Sequence, residues 1–327
     1  MTHLSNAKSV VPDRQPLSSA PGVSTSSVNE STNGQQKETT GWLPTFFRGT
    51  LVRNPAFMFS LAIMILFTFF AIFPQVFAPF DPTLNSLGLR HKPPGFIDSS
   101  GALHLLGTDH LGRDVWSRLV WGARASMTIG YVGLILGGSV GVFLGLVAGF
   151  RGGWFDAITM RLVDAYLSFP YILIAIVWAT LVEPDIWTLI VIVAVRGWVE
   201  FARVTRTQAL AVKQRDYIEA ARSVGVTDRR IIWRHILPNV MAPILVIAGY
   251  QLGRLILLEA TLSFLGIGIR PPTPAWGSML SDARNYISTA WWTVFFPGMA
   301  ISLIVMSANF MGDSLRDYLD PMLRGRF

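Results

Sequence analysis

The stretch Asp216–Asn239, DYIEAARSVGVTDRRIIWRHILPN, decides how the chain is read. It is polar and basic, yet long apolar runs flank it on both sides. Its pattern predicts two short helices. Asp216 is a candidate N-cap, with Glu219 three residues on at capping-box spacing. Gly225 suits a left-handed helix stop. Thr227 can cap a second helix, and Leu237-Pro238 is expected to end it because proline has no amide donor.

Seven Lys and Arg lie between Arg206 and Arg234 (206, 213, 215, 222, 229, 230 and 234), against three acids at 216, 219 and 228. An excess of this kind marks a cytoplasmic loop between membrane spans. Composition agrees. Of 327 residues, 51% are hydrophobic and 14% are charged, where soluble domains carry about 25% charged residues. Mean hydropathy is +0.44. The net charge of +7 clusters at segment ends, so it points to membrane orientation and lipid contact, not to nucleic acid. Without cysteine there is neither a disulfide nor a thiolate metal site. None of the four lysines (8, 37, 92 and 213) follows a glycine, so the chain has no phosphate-binding loop of the Walker type. If ATP drives it, another chain binds the nucleotide.

Outward from the hairpin, six spans are expected: Phe57–Phe77, Ala125–Phe150, Ala157–Val182, Ile186–Thr205, Val240–Ile267 and Thr293–Met311. Each approaches the roughly 20 apolar residues needed to cross about 30 Å of hydrocarbon. Residues 1–42 are too polar to fold alone and read as a disordered cytoplasmic tail, followed by an aromatic and basic interfacial segment, Gly41–Arg53. Gly133, Gly137, Gly141, Gly145 and Gly149 recur every fourth residue, a stripe that lets another helix approach to backbone contact. Pro170 predicts a kink. Arg161 with Asp164, and Glu200 with Arg196 or Arg203, stand at intrahelical pairing distance. In the fifth span Arg254 and Glu259 are five apart, a poor pairing distance. Each is expected to meet another helix, another subunit or water on a transport pathway, with a buried structural role as the alternative for Glu259. Trp276, Trp291 and Trp292 suit an interfacial aromatic belt.

The polar loop ahead of the second span contains His104, Asp109, His110, Arg113, Asp114 and Arg118. Ion pairs among Asp109, Arg113, Asp114 and Arg118 would fix a short amphipathic helix. The histidine spacings do not put both imidazoles on one helix face, so a metal site is not expected. All five histidines (3, 91, 104, 110 and 235) lie outside the spans, which argues against a membrane-embedded hydrolase.

Four separated motifs carry a resemblance over about residues 45–327: LGTDHLGRDVWSRLVWGARAS from Leu106, the hairpin with Glu219-Ala220-Ala221, Gly225 and Leu237-Pro238, PPTPAWG from Pro271, and GDSLRDYLDP from Gly312. Together they resemble the dipeptide, oligopeptide and nickel branch of bacterial ATP-binding cassette importer permeases. His235 stands where that family usually has a branched apolar residue.

The resemblance implies an all-α type I importer transmembrane fold of six helices. Its parts would be the tail at 1–42, a first span with external loop at 43–112, a permease core at 113–313 with its coupling loop at 206–239, and a cytoplasmic tail at 314–327. It further implies an inner-membrane location with both termini cytoplasmic, a second related permease, two ATPases holding ATP and magnesium, and an external binding protein. Peptides are the expected substrate and nickel the alternative. Glu219, Ala220, Ala221, Gly225, His235, Leu237 and Pro238 would couple to an ATPase. Read from the residues alone, the hairpin is also compatible with an amphipathic surface element. A stand-alone carrier is the reading from another class, although no internal repeat is evident.

Overall fold

The computed structural model describes residues 54–183 and 185–319. The expected tail at 1–42, the segment Gly41–Arg53 and the last residues of the C-terminal motif lie outside the described residues.

Helix α1, Pro55–Ile72, starts on Asn54, whose side-chain oxygen accepts from the Ala56 amide at 3.0 Å. A single turn, α2 (Pro74–Phe77), ends the first apolar run. The following loop forms a two-stranded antiparallel ribbon, β1 (Phe96–Ile97) and β2 (Leu103–His104), with Phe96 opposite His104. Helix α3 covers Val115–Arg151. It begins ten residues before the expected Ala125, because Asp114 caps it by accepting from the Ser117 amide at 2.8 Å and its polar first turns are buried against the loop.

The expected third span is broken, not merely kinked. Helix α4 (Gly153–Leu167) and helix α5 (Tyr171–Leu181) meet at 85°. Pro170 has no amide to continue α4, and serves instead as N-cap of α5. Helix α6 is Ile186–Lys213, α7 is Asp216–Ser223 and α8 is Asp228–Ile231. A π-helical turn, Ile232–Ile236, joins α8 to α9, Leu237–Phe264. Helix α10 (Trp276–Ala283) lies within the next loop, and α11 is Trp292–Leu319.

Among the described residues, four helical runs are long and apolar enough to cross a membrane, and the bent pair α4–α5 makes a fifth if its arms form one span. Helix α6 is long enough at 28 residues, but Arg196, Glu200 and Arg203 interrupt its apolar stretch, and it is not among them.

The glycine stripe of α3 packs on α6. A methyl group added to Gly145 would stand 2.5 Å from the Ala202 carbonyl oxygen, and one on Gly149 would stand 2.7 Å from that of Arg206. Gly137 and Gly141 face the carbonyls of Ala194 and Trp198 in the same way. Both helices therefore present the seam at four-residue intervals, glycine against carbonyl.

The main core gathers Phe67 and Phe70 of α1, Val120 and Met127 of α3, Ile256 of α9, Trp276 of α10 and Ile304 of α11. Two of the three tryptophans assigned to an interfacial belt belong to this core. Trp276 is fully buried and donates through Nε1 to the Leu119 carbonyl at 3.0 Å, and buried Trp292 donates to that of Thr108 at 3.1 Å. Each indole finds its acceptor inside the chain, so neither needs the wet interface. Trp291 is exposed.

The intrahelical ion pairs expected in α4 and α6 do not form among the described residues. Arg161 and Asp164 are both exposed. Arg196 lies over the Tyr171 ring, 5.9 Å from its centroid. Arg206 reaches across to Asp156 of α4 with both Nε and Nη2, the latter at 2.6 Å. A planar fork on a carboxylate is a better geometry than neighbours on one helix allow.

Candidate functional site: the basic hairpin and two charged clusters

The hairpin departs from the expected boundaries at both ends. Helix α7 takes Arg215 as its N-cap, so Asp216 is the first helical residue and Glu219 the fourth. The capping box is lost by that one-residue shift. Both acids sit in the first turn, where the helix dipole favours negative charge. At the other end of α7 the Gly225 amide donates to the Arg222 carbonyl and the Val226 amide to that of Ala221. Gly225 has φ of 83°. This is a Schellman stop with glycine in the left-handed position.

Thr227 is the N-cap of α8, although its side chain makes no capping bond. The second helix does not stop at Leu237-Pro238. Pro238 lies in the first turn of α9, and helix runs on from Asp228 to Phe264. The π turn sits just before the proline and widens the coil where the ring would otherwise press on the preceding turn. It also brings Ile231 and Ile236, five residues apart, to one buried side.

The hairpin is anchored by three isoleucines. Ile218, Ile231 and Ile236 are fully buried and join a cluster with Leu146, Phe150 and Val212. The Lys213 ammonium donates to the Phe150 carbonyl at 2.6 Å, and the Arg222 guanidinium lies 5.2 Å from the Phe150 ring centroid. Glu219, Ala220, Gly225 and Pro238 are exposed, while Ala221, His235 and Leu237 are half-buried. The imidazole of His235 tilts beside the ring of Tyr217, with centroids 6.4 Å apart. Val224 at the turn is 80% exposed and Trp233 is exposed as well. Among the described residues Asp216, Glu219 and Asp228 form no ion pair. The structure thus brings the sequence-predicted residues into one helical hairpin with unpaired acids and apolar side chains exposed. Sequence reasoning missed Val224 and Trp233, whose apolar character in a polar loop was the available signal.

A second cluster lies at the opposite end of α3. Asp109 accepts from Arg113 Nε at 2.7 Å, Arg118 Nη1 at 2.5 Å, and the amides of Leu111 and Arg113 at 2.8 and 3.0 Å. Both guanidiniums also reach Asp282 of α10, at 3.2 and 3.3 Å. Burial works to raise the Asp109 carboxyl, but the two guanidiniums and the two amides outweigh it and hold the group below its ordinary value. Burial also pushes His110 down, against the pull of Asp109 and Asp282; its ring stacks on Tyr286 at 5.4 Å.

Asp114, expected among these ion pairs, turns instead to His104 Nδ1 at 2.9 Å. Asp282, 164 residues from Arg118, was invisible as a partner in the sequence. Among the described residues no three His, Asp or Glu side chains converge to hold a metal ion.

On α9 the two charges of the expected pathway point apart. Arg254 is exposed. Glu259 is fully buried, with Oε1 accepting from Ser263 Oγ at 2.7 Å and Oε2 without a hydrogen-bond partner among the described residues.

Residues 141–325 match the family of binding-protein-dependent transport system inner membrane components, and residues 46–94 match the N-terminal TM domain of oligopeptide transport permease C. The di/tripeptide transport system permease protein DppC of Pseudomonas aeruginosa is 39% identical over 278 residues, 85% of this chain and 92% of that protein. The dipeptide transport system permease protein DppC of Bacillus subtilis is 38% identical, covering 84% of each chain. The glutathione transport system permease protein GsiD of Pectobacterium atrosepticum is 38% identical over 85% of this chain and 91% of its own.

Proposed function

Since the chain belongs to the family of binding-protein-dependent transport system inner membrane components, we propose that it is one permease subunit of an ATP-driven importer of di- or oligopeptides. The observation that carries this reading is the likeness, over 84–85% of the chain, to permeases named for dipeptides and di/tripeptides. The chain lies in the bacterial inner membrane with α6 as the sixth span and both termini in the cytoplasm. The seven basic residues of the hairpin region support that orientation.

The working assembly pairs this chain with a second permease, two ATPases that hold ATP and magnesium, and an external binding protein. Transport proceeds by alternating access. The binding protein releases peptide at the loop end, and ATP draws the ATPases together. The hairpin passes that motion to the spans, and the passage between the permeases changes its open side. ATP must favour one arrangement over the other, because a ligand binding both equally shifts nothing. Glu219, Ala220, Ala221, Gly225, His235, Leu237 and Pro238 form the coupling element. The unpaired acids and exposed Val224 and Trp233 of the same hairpin support that role. Arg254 faces the passage or the second permease, and Glu259 is a buried brace unless α9 turns.

Affinity purification of the tagged chain from membranes, with mass spectrometry of what accompanies it, tests the assembly. A second permease and ATPases are the expected companions. A chain recovered alone that transports without ATP would instead establish a stand-alone carrier.

A further inference from the structure

The exposed side chains of the spanning helices sort by face. Those of α1 are apolar, Phe59, Leu66 and Phe69 among them, and the open flank of α3 carries Ile135, Leu136, Val140 and Phe143. Such faces suit lipid acyl chains. Helices α9 and α11 differ. Half-buried Tyr250, exposed Arg254 and Leu257, and half-buried Thr261 follow one another at four, three and four residues, along one side of α9. Exposed Ser302 and Met306, half-buried Asn309 and exposed Asp313 repeat that spacing on α11.

The two rows lie side by side. Gly249 backs onto Gly312, and Gly253 onto Val305 and Ala308, so the helices touch almost without intervening side chains. The Tyr250 hydroxyl donates to Asp313 Oδ1 at 2.6 Å and ties one row to the other. Arg254, Ser302 and Asp313 are exposed, and Arg254 makes no ion pair among the described residues. Arg316 and Asp317, also exposed, continue the α11 side beyond Asp313. Arg254 lies well inside its span, where an ionisable group faces a partner or water, not lipid, and Asp313 stands at the inner end of the same face.

We propose that this two-helix face is the wall of the aqueous passage contributed by this chain, and that Arg254 and Asp313 are its specificity-determining pair for a zwitterionic peptide. The inference rests on the permease reading and deepens it. The guanidinium takes the peptide carboxylate, and Asp313, positioned by Tyr250, takes the ammonium group. The dimensions agree. Arg254 is one turn from Tyr250, about 6 Å along the axis, and an extended dipeptide spans about 7 Å. A dipeptide therefore reaches both charges, whereas a longer peptide in extended form overshoots one of them.

The chain has no cysteine, so each replacement gives it a single thiol, and labelling is read on this chain after its separation from its companions. The assembled transporter in membrane vesicles is treated with a membrane-impermeant cationic methanethiosulfonate after Leu257→Cys, Thr261→Cys, Ser302→Cys or Met306→Cys, with Leu66→Cys and Val140→Cys as controls. The four replacements should be labelled in at least one of the resting, nucleotide-bound or cycling states, and the controls in none. Lack of labelling at all four in every state means that lipid or the second permease covers this face, and overturns the proposal.

For the charged pair, a dipeptide should slow labelling of Met306→Cys several-fold. That protection should vanish with Arg254→Gln, where uptake falls about tenfold, and partly return with Arg254→Lys. Full protection in Arg254→Gln overturns the pairing. A native assembly that takes up no dipeptide with ATP overturns the dipeptide reading instead, and the labelling pattern, which needs no transport, separates the two failures.

Discussion

The carbonyl oxygen of Ala202 occupies the space that a methyl group on Gly145 would need, 2.5 Å from its position. The contact is backbone to backbone, so no rotamer change can relieve it. An alanine in a helix ordinarily gains up to about 1 kcal/mol over glycine. Here overpacking, costing about 1–3 kcal/mol, outweighs that gain. Gly145→Ala is expected to lower the melting temperature of the purified chain in detergent. Gly138→Ala, whose methyl would meet only the edge of the Phe201 ring at 3.4 Å, should be neutral or slightly stabilising.

Gly225→Ala probes a different cost. Nothing lies within 4 Å of the added methyl, so only the left-handed backbone opposes it, by about 1 kcal/mol. The variant should fold and assemble. We expect ATP hydrolysis to persist while peptide moved per ATP falls several-fold, and Glu219→Ala to behave alike. Normal transport per ATP in both variants, measured in vesicles holding the intact assembly, would remove the hairpin from the coupling role.

Asp109→Asn leaves two buried guanidiniums short of their shared carboxylate. Breaking a buried ion pair in this way costs about 3–5 kcal/mol. Asp282→Asn removes two longer contacts to a carboxylate that is 32% exposed, and should cost less. Thermal melts of the two variants against the parent give the comparison.

Acid should destabilise the same end of the molecule. The folded Asp109 carboxyl titrates below its ordinary value, so its contribution is complete above the unfolded value of about 3.9. That contribution fades as pH falls toward the folded value. His110 is also lowered on folding. The unfolded chain therefore takes up its proton first, and stability begins to fall as pH drops through about 6.5. His110→Gln should remove the earlier decline and Asp109→Asn the later one, read as melting temperature against pH.

Elements whose signal is local were legible in the chain. The apolar runs of α1, α9 and α11, the glycine ladder and the Gly225 stop each rest on neighbours in sequence. What escaped depended on distant partners. Trp276 looks interfacial until the Leu119 carbonyl receives its indole. Arg206 has acids nearby in sequence yet pairs with Asp156, and Asp282 completes a cluster begun at Asp109. Pro238 looked like a stop because a π turn ahead of it has no simple residue signature. For the candidate site, the sequence marked the hairpin residues and Arg254, but not which face of α9 holds each charge.

The helical run from Asp228 to Phe264 has a mechanical consequence. Its 37 residues make a lever about 55 Å long, on which a tilt of about 5° moves the far end by about 5 Å. That far end is not free. Gly277 of α10 is pressed against the Ala260 carbonyl, and α10 carries Asp282, to which Arg113 and Arg118 are tied. If the hairpin is the coupling element, a small rocking stroke there would be geared up toward the far end of this run, and it would drag the loop cap with it or lift away beneath it.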